Sequence, residues 1–112
     1  MSNNEFVNRV ELTGMVGHEP RVFSVGDAQV ARFSLVTQRA FRGGNGELLS
    51  EVTWHDISAW SGCGVAFEDL KKGVFVSLKG RLHTTKYTGV DGTERYVTDI
   101  VAKELKLVNP EA

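Results

Sequence analysis

The strongest constraint on the fold is the alternation in Val76-Ser-Leu-Lys-Gly-Arg-Leu-His83, where Val76, Leu78 and Leu82 interleave with Ser77, Lys79, Arg81 and His83. A period of two puts an apolar face and a basic face on opposite sides of one strand, whereas a helix would scatter the same residues around its circumference. Downstream, Thr88-Gly-Val-Asp-Gly-Thr-Glu leads into a second β-rich run, Arg95-Tyr-Val-Thr-Asp-Ile-Val. The stretch from Gly73 to about Leu107 therefore predicts a long antiparallel hairpin with a flexible tip. Lys86, Tyr87, Arg95 and Tyr96 lie at or near that tip. Cations beside aromatic rings on a projecting ribbon suit a partner with negative charge and flat apolar faces, and an unpaired nucleic acid strand offers both.

The remaining segments also read as strands. Asn8 to Val16 places Val10 and Leu12 at alternate positions, with Gly14 and Gly17 permitting a bend or bulge. His18-Glu-Pro-Arg breaks the pattern and Gly26-Asp is a turn. Ala28 to about Gln38 sets Ala31, Phe33 and Leu35 against Arg32 and Ser34. Arg39 to Gly46, with three glycines, is expected to be a mobile loop carrying Arg39, Phe41 and Arg42. From about Glu51 to Ser61, Trp54, Asp56, Ser58 and Trp60 share one parity, and Thr53, His55, Ile57 and Ala59 take the other. Gly64 to Lys72 predicts a short helix, with Lys71 and Lys72 at its negative end and Gly73 stopping it.

Strand, strand, strand, short helix, strand, strand is the order of an all-β, five-stranded antiparallel Greek-key barrel, the OB-fold, with its helix between the third and fourth strands. A five-stranded SH3-like barrel is the nearest competitor, but it does not ordinarily carry a helix there. At 112 residues the chain is expected to be one such domain over 1–112, with an ordered core of about 7–108.

The formal charge is −1, with 13 Lys and Arg against 14 Asp and Glu, so a nucleic-acid surface would need its cations grouped on one side and a large stacking contribution. No apolar run is long enough for a membrane span. Met1-Ser-Asn-Asn-Glu-Phe6 lacks the pattern of a signal peptide, which leaves the cytoplasm as the expected compartment. A single cysteine, Cys63, excludes an internal disulfide, and with three scattered histidines no zinc spacing appears; no cofactor or metal is expected.

Taken together, Asn8-Arg-Val-Glu-Leu-Thr-Gly, Val30-Ala-Arg-Phe-Ser-Leu-Val-Thr, Thr53-Trp-His, Leu70-Lys-Lys-Gly, Val76-Ser-Leu-Lys-Gly-Arg-Leu, and Lys86-Tyr-Thr followed by Gly92-Thr-Glu-Arg-Tyr occur in a telling order. From Asn8 to Val108 the chain resembles the DNA-binding domain of bacterial single-stranded DNA-binding proteins. The resemblance implies an OB-fold that assembles as a homotetramer, a dimer being the alternative, and that wraps single-stranded DNA without strong sequence preference in replication, recombination and repair. It implies a cytoplasmic, nucleoid-associated protein. Trp54, Trp60, Phe41 and Tyr87 fall where that family places base-stacking aromatics, His55 where it has a subunit contact, and Lys72, Lys86 and Arg95 at basic positions of the DNA path. Asp56, His83 and Thr85 stand where relatives often carry basic residues. With Pro110-Glu-Ala112 as the end, the acidic tail by which many relatives recruit replication and repair enzymes is missing, which leaves such recruitment open.

The bland alternatives differ by residue. Two tryptophans on one strand could be core, but their face also carries Asp56 and Ser58 while Ile57 and Ala59 lie opposite. Phe41 has little to pack on in a glycine-rich loop. Lys79 and Arg81 are either a solvated face or a phosphate track. His55 and Asp56 point to opposite faces and form no acid–base pair; Cys63 reads as a small packing residue. The expected function is non-catalytic strand binding, with stacking on Trp54, Trp60, Phe41 and Tyr87 and phosphate contacts from Arg9, Arg39, Arg42, Lys72, Lys79, Arg81, Lys86 and Arg95. The rivals are an OB-fold accessory acting mainly through another protein, and a small metal-dependent nuclease using Asp56, Asp99 and Glu104.

Overall fold

The computed structural model describes residues 5–108. Its strands are β1 (Val10–Val16), β2 (Arg21–Val25), β3 (Ala28–Arg42), β4 (Leu48–Trp60), β5 (Phe75–Thr88) and β6 (Glu94–Leu107), with one 3₁₀ turn, Phe67–Asp69, between β4 and β5. They form one sheet in the order β1-β5-β6-β4-β3-β2, and β1 also pairs with β3, which closes a five-stranded barrel. The expected all-β barrel is therefore present.

Alternation decides which side chains fill it. Ala31, Phe33 and Leu35 of β3, Ile57 and Ala59 of β4, Val76 and Leu78 of β5, and Ile100, Ala102 and Leu105 of β6 are all buried, and Val16 and Leu70 complete the core. Each of the larger side chains contributes about 1.5–3 kcal/mol by leaving water. Cys63 is buried among them as a free thiol.

Closure requires two close approaches. A side chain on Gly14 would run into the carbonyl oxygen of Val36, next to the Met15↔Val36 pairing that joins β1 to β3. Gly80 meets the carbonyl of Val101 in the same way, at the irregularity where Lys79 pairs with Glu104 but Gly80 with Ala102. Lys103 is the extra residue of that bulge, which bends the β5–β6 ribbon around the barrel.

Four expectations need correction. The structure has a sixth strand, because Arg21–Val25 pairs with Ala28–Arg32 across the two-residue turn Gly26-Asp27. One pairing, β4 with β6 through Ile57↔Ile100 to Ala59↔Ala102, is parallel rather than antiparallel. The expected loop from Arg39 to Gly46 is mostly strand: β3 runs to Arg42, Arg39 pairs with Glu51 and Phe41 with Leu49, and only residues 43–47 turn. That turn is tied by Gly43 N–H donating to Glu47 O at 2.9 Å and by Arg42 Nη1 donating to Gly46 O at 2.9 Å. Finally, the helix expected over Gly64–Lys72 is a single 3₁₀ turn, preceded by Ala66 with an extended ψ of 137°. Ala66 and Leu70 are both extended, which confines the helical backbone to one turn, and that turn delivers Leu70 to the core.

Candidate nucleic-acid interface

The outward face of β4 is set by the same parity that fills the core. Across the β3–β4 ladder, Val36 stands opposite Trp54, Ser34 opposite Asp56, Arg32 opposite Ser58 and Val30 opposite Trp60. Trp54 is 55% exposed and Trp60 41% exposed, so neither ring is sealed in the core. Six residue steps along the strand separate them by about 20 Å.

The two rings are held differently. Trp54 lies over Gly17, where a Cβ would run into its six-membered ring, and the His18 ring packs against it at 5.1 Å between centroids. His18 Nδ1 is in turn 3.2 Å from Ser34 Oγ. One side of Trp54 is thus backed by protein while the rest stays open to a planar partner. Trp60 lines a groove of about 780 Å³ together with Arg9, Glu11, Cys63, Lys79, Arg81, Lys103 and Glu104. Arg9 is brought there because the Asn8 amide extends the β1–β5 ladder, donating to Leu82 O and accepting from Leu82 N–H, both at 2.8 Å. Four cations and one indole therefore share a groove with two carboxylates.

The hairpin tip places Tyr87 opposite Arg95 on one side of the ribbon and Lys86 opposite Tyr96 on the other. Tyr87 is 45% exposed and Tyr96 66%. Both cations already have partners: Lys86 Nζ is 3.1 Å from Glu94 Oε1, and Arg95 Nη2 is 3.6 Å from Asp91 Oδ2. Asp91 Oδ1 accepts from Thr93 Oγ1 at 2.6 Å and from Thr93 N–H at 3.2 Å. The Thr93 hydroxyl, then its amide, with Arg95 adding less, hold the Asp91 carboxyl below its ordinary value.

Of the remaining expected residues, His55 adjoins Trp54 on the opposite face of β4 and Lys72 lies beside the 17–19 segment, while Arg39, Phe41 and Arg42 belong to the far end of β3. Arg39 and Phe41 have the parity of the core residues of β3, opposite to that facing Trp54; they form a cation–π pair at 5.2 Å, and Phe41 is half-buried. Arg42 caps its own turn. Lys72 is exposed, its N–H 3.4 Å from Glu19 Oε2. His55 is half-buried, its Nε2 2.9 Å from Thr37 Oγ1 of the same chain. Asp56, Asp99 and Glu104 do not converge, and among the described residues no three His, Cys, Asp or Glu side chains are grouped to hold a metal.

Three features went unread in the sequence. Lys103 reaches the groove through a bulge that alternation does not reveal. His18 meets Trp54 through a contact distant in sequence. Alternation puts Arg32 on the outer face but does not reveal its neighbour Asp99, whose carboxylate lies 3.9 Å away.

Comparison with known proteins agrees with this geometry. The model of the Single-strand binding protein family matches residues 7–108. Relatives named single-stranded DNA-binding protein include one from Neisseria meningitidis, 36% identical over 104 residues, covering 91% of this chain and 60% of its own length. Another, from Xanthomonas campestris, is 38% identical over 104 residues with the same shares, 91% and 60%. This chain thus spans about 60% of the length of those relatives. Among solved structures, one described as the Plasmodium falciparum SSB complex with ssDNA superposes with a TM-score of 0.78 at 30% identity, covering 96% of this chain and 100% of that one. A deletion mutant of the single-stranded DNA binding protein from Thermus aquaticus shares the fold, with a TM-score of 0.78 at 21% identity over 93% of this chain and 51% of its own.

Proposed function

Because the chain belongs to the single-strand binding protein family, we propose that it binds single-stranded DNA without base preference and protects exposed strands during replication, recombination and repair. The observation that carries this reading is the Trp60 groove, where Arg9, Lys79, Arg81 and Lys103 share the lining with a partly exposed indole. Stacking accepts any base, because every base has a π-face, and cations beside the ring hold the phosphates that follow. Trp54 extends the stacking surface along β4, and Tyr87 with Arg95 extends it along the hairpin. Phe41, Arg39, Arg42, Lys72 and Lys86 complete the proposed path, on surfaces that a strand reaches by wrapping around the protein.

The proposed role is binding, without catalysis. The relatives' names describe binding alone, and the site supplies rings and cations rather than a paired acid and base. No helix of the described residues is long and apolar enough to cross a membrane, and action on DNA in the cytoplasm is part of the proposal. Assembly as a homotetramer belongs to it as well, with His55 at a subunit contact. Half-exposed Val22, Phe23 and Val25 on β2 offer apolar surface for such a contact.

Titration with an oligothymidylate tests the proposal directly. Tryptophan emission is expected to be quenched, with an affinity that falls as salt rises. Unchanged emission at low salt would remove it. Light scattering with and without the oligonucleotide is expected to give the mass of four chains; a two-chain mass would retain strand binding and revise the assembly.

A further inference from the structure

On the outer face, beside the row that joins the two tryptophans, Arg21 of β2 stands directly opposite Arg32 of β3. Like charges facing each other on neighbouring strands are unfavourable, so such a pair needs a reason. Among the described residues Arg21 has no carboxylate within ion-pair distance, and Arg32 has only Asp99, with Nη2 3.9 Å from Oδ2. Asp99 is shared three ways: Ser58 Oγ donates to it at 3.2 Å, and His83 Nδ1 lies 3.6 Å from its other oxygen. The Asp99 side chain is 14% exposed while that of Arg32 is 56% exposed. A recessed acid therefore holds an exposed guanidinium by one loose contact, and most of that group's five donors remain available.

The surroundings leave room for an anion at the arginine end of a hollow that also holds two carboxylates. Arg21 and Arg32 line a hollow of about 430 Å³ together with His18, Glu19, Ser34 and Asp56. His18 is the ring packed on Trp54, so the hollow adjoins one stacking platform. Arg32 pairs with Ser58, which lies between Trp54 and Trp60 on β4, so a strand running from one indole to the other passes over it. A planar guanidinium suits phosphate oxygens in pairs, and a phosphate set between two arginines relieves the repulsion that the register imposes.

We infer that Arg32, backed by Arg21, is a phosphate-contacting residue between the two stacking rings, and that Asp99 is a built-in competitor from which the strand's phosphate withdraws Arg32. This deepens the strand-binding reading and rests on it. When Arg32 turns to the strand, Asp99 keeps Ser58 and His83 as neighbours, so its carboxylate is not left alone. Asp99 is here a positioning residue, acting on the strand only through Arg32.

The test is a double-mutant cycle read by oligothymidylate titration over a range of salt. Arg32→Ala is expected to make the slope of log affinity against log salt shallower by about 0.7, the release expected for one single-strand phosphate contact. Arg21→Ala should shift it in the same direction. Asp99→Asn is expected to tighten binding by about two- to five-fold, the scale of one exposed ion pair, and to give no gain when Arg32 is already Ala. Arg32→Ala with the slope and affinity of the natural chain would overturn the inference. So would an Asp99→Asn gain that persists without Arg32, because the acid would then act by general repulsion. Should Asp99→Asn fail to fold, the slopes of the two exposed arginine variants decide alone. Absence of any quenching by the natural chain would instead sink the strand-binding reading itself.

Discussion

Trp54 and Trp60 share a strand face but not an environment, and single substitutions should separate the two. Trp60 is partly exposed in a groove it shares with four cations, so Trp60→Ala should cost about 1–3 kcal/mol of strand affinity, with a melting temperature close to that of the natural chain. Titration and thermal melting of one sample check both halves. Trp54 rests on Gly17, and Gly17→Ala must push the indole away because the added carbon occupies its place. The expected result is a shifted tryptophan emission in the free protein together with weaker oligonucleotide binding; an unmoved emission would mean that the ring yields without cost. The outward parity of both indoles was legible because Ile57 and Ala59 could only be core. The support beneath Trp54 was not, since Gly17 and His18 approach it only once β1 closes on β3. Phe41 was misplaced for a related reason: read as loop, it had no parity, whereas its pairing with Leu49 gives it the side opposite Trp54.

At the scale of elements, the strands whose alternate residues are buried were readable and the edge strand was not. All five residues of β2 are exposed, so no apolar stripe marks it, although Gly26-Asp27 between two β-rich runs is a recognisable two-residue hairpin turn. The helix was overcalled because four-residue spacing of Ala66 and Leu70 also fits a single turn that delivers Leu70 to the core. Barrel closure depends on Gly14 and Gly80, so Gly14→Ala or Gly80→Ala should destabilise the fold by about 1–3 kcal/mol, read as a lowered urea midpoint. The β5–β6 tip carries its own titration. Asp91 is held below its ordinary value in the folded hairpin, chiefly by Thr93, so its contribution is complete above the value it has when unfolded. That contribution is lost as pH falls through the depressed folded value. The Thr93 amide resonance should therefore titrate with a midpoint below that of an unperturbed aspartate; Asp91→Asn should abolish that transition.

For the whole molecule, near-neutral charge turns out to be a matter of arrangement. Lys86, Arg95 and Arg32 each have a carboxylate within 4 Å, whereas the groove at Trp60 holds four cations against Glu11 and Glu104. Salt sensitivity should thus originate mainly there, with a log–log slope of about −3 per chain if all four contact phosphates. Substituting Lys79 and Arg81 together by Ala should remove about 1.4 of that slope while leaving quenching at Trp54 in place. A slope near zero would mean that stacking alone holds the strand. Total charge could not disclose this distribution, because it depends on registers set by bulges and edge pairing. The β3–β4 and β5–β6 ribbons outgrow the barrel that bears them, and beyond it even the inward-parity positions, such as Leu82 and Tyr96, are open. Evolution can accordingly lengthen, shorten or recolour those arms to suit a different length of strand, while the sealed centre that keeps the protein folded goes untouched.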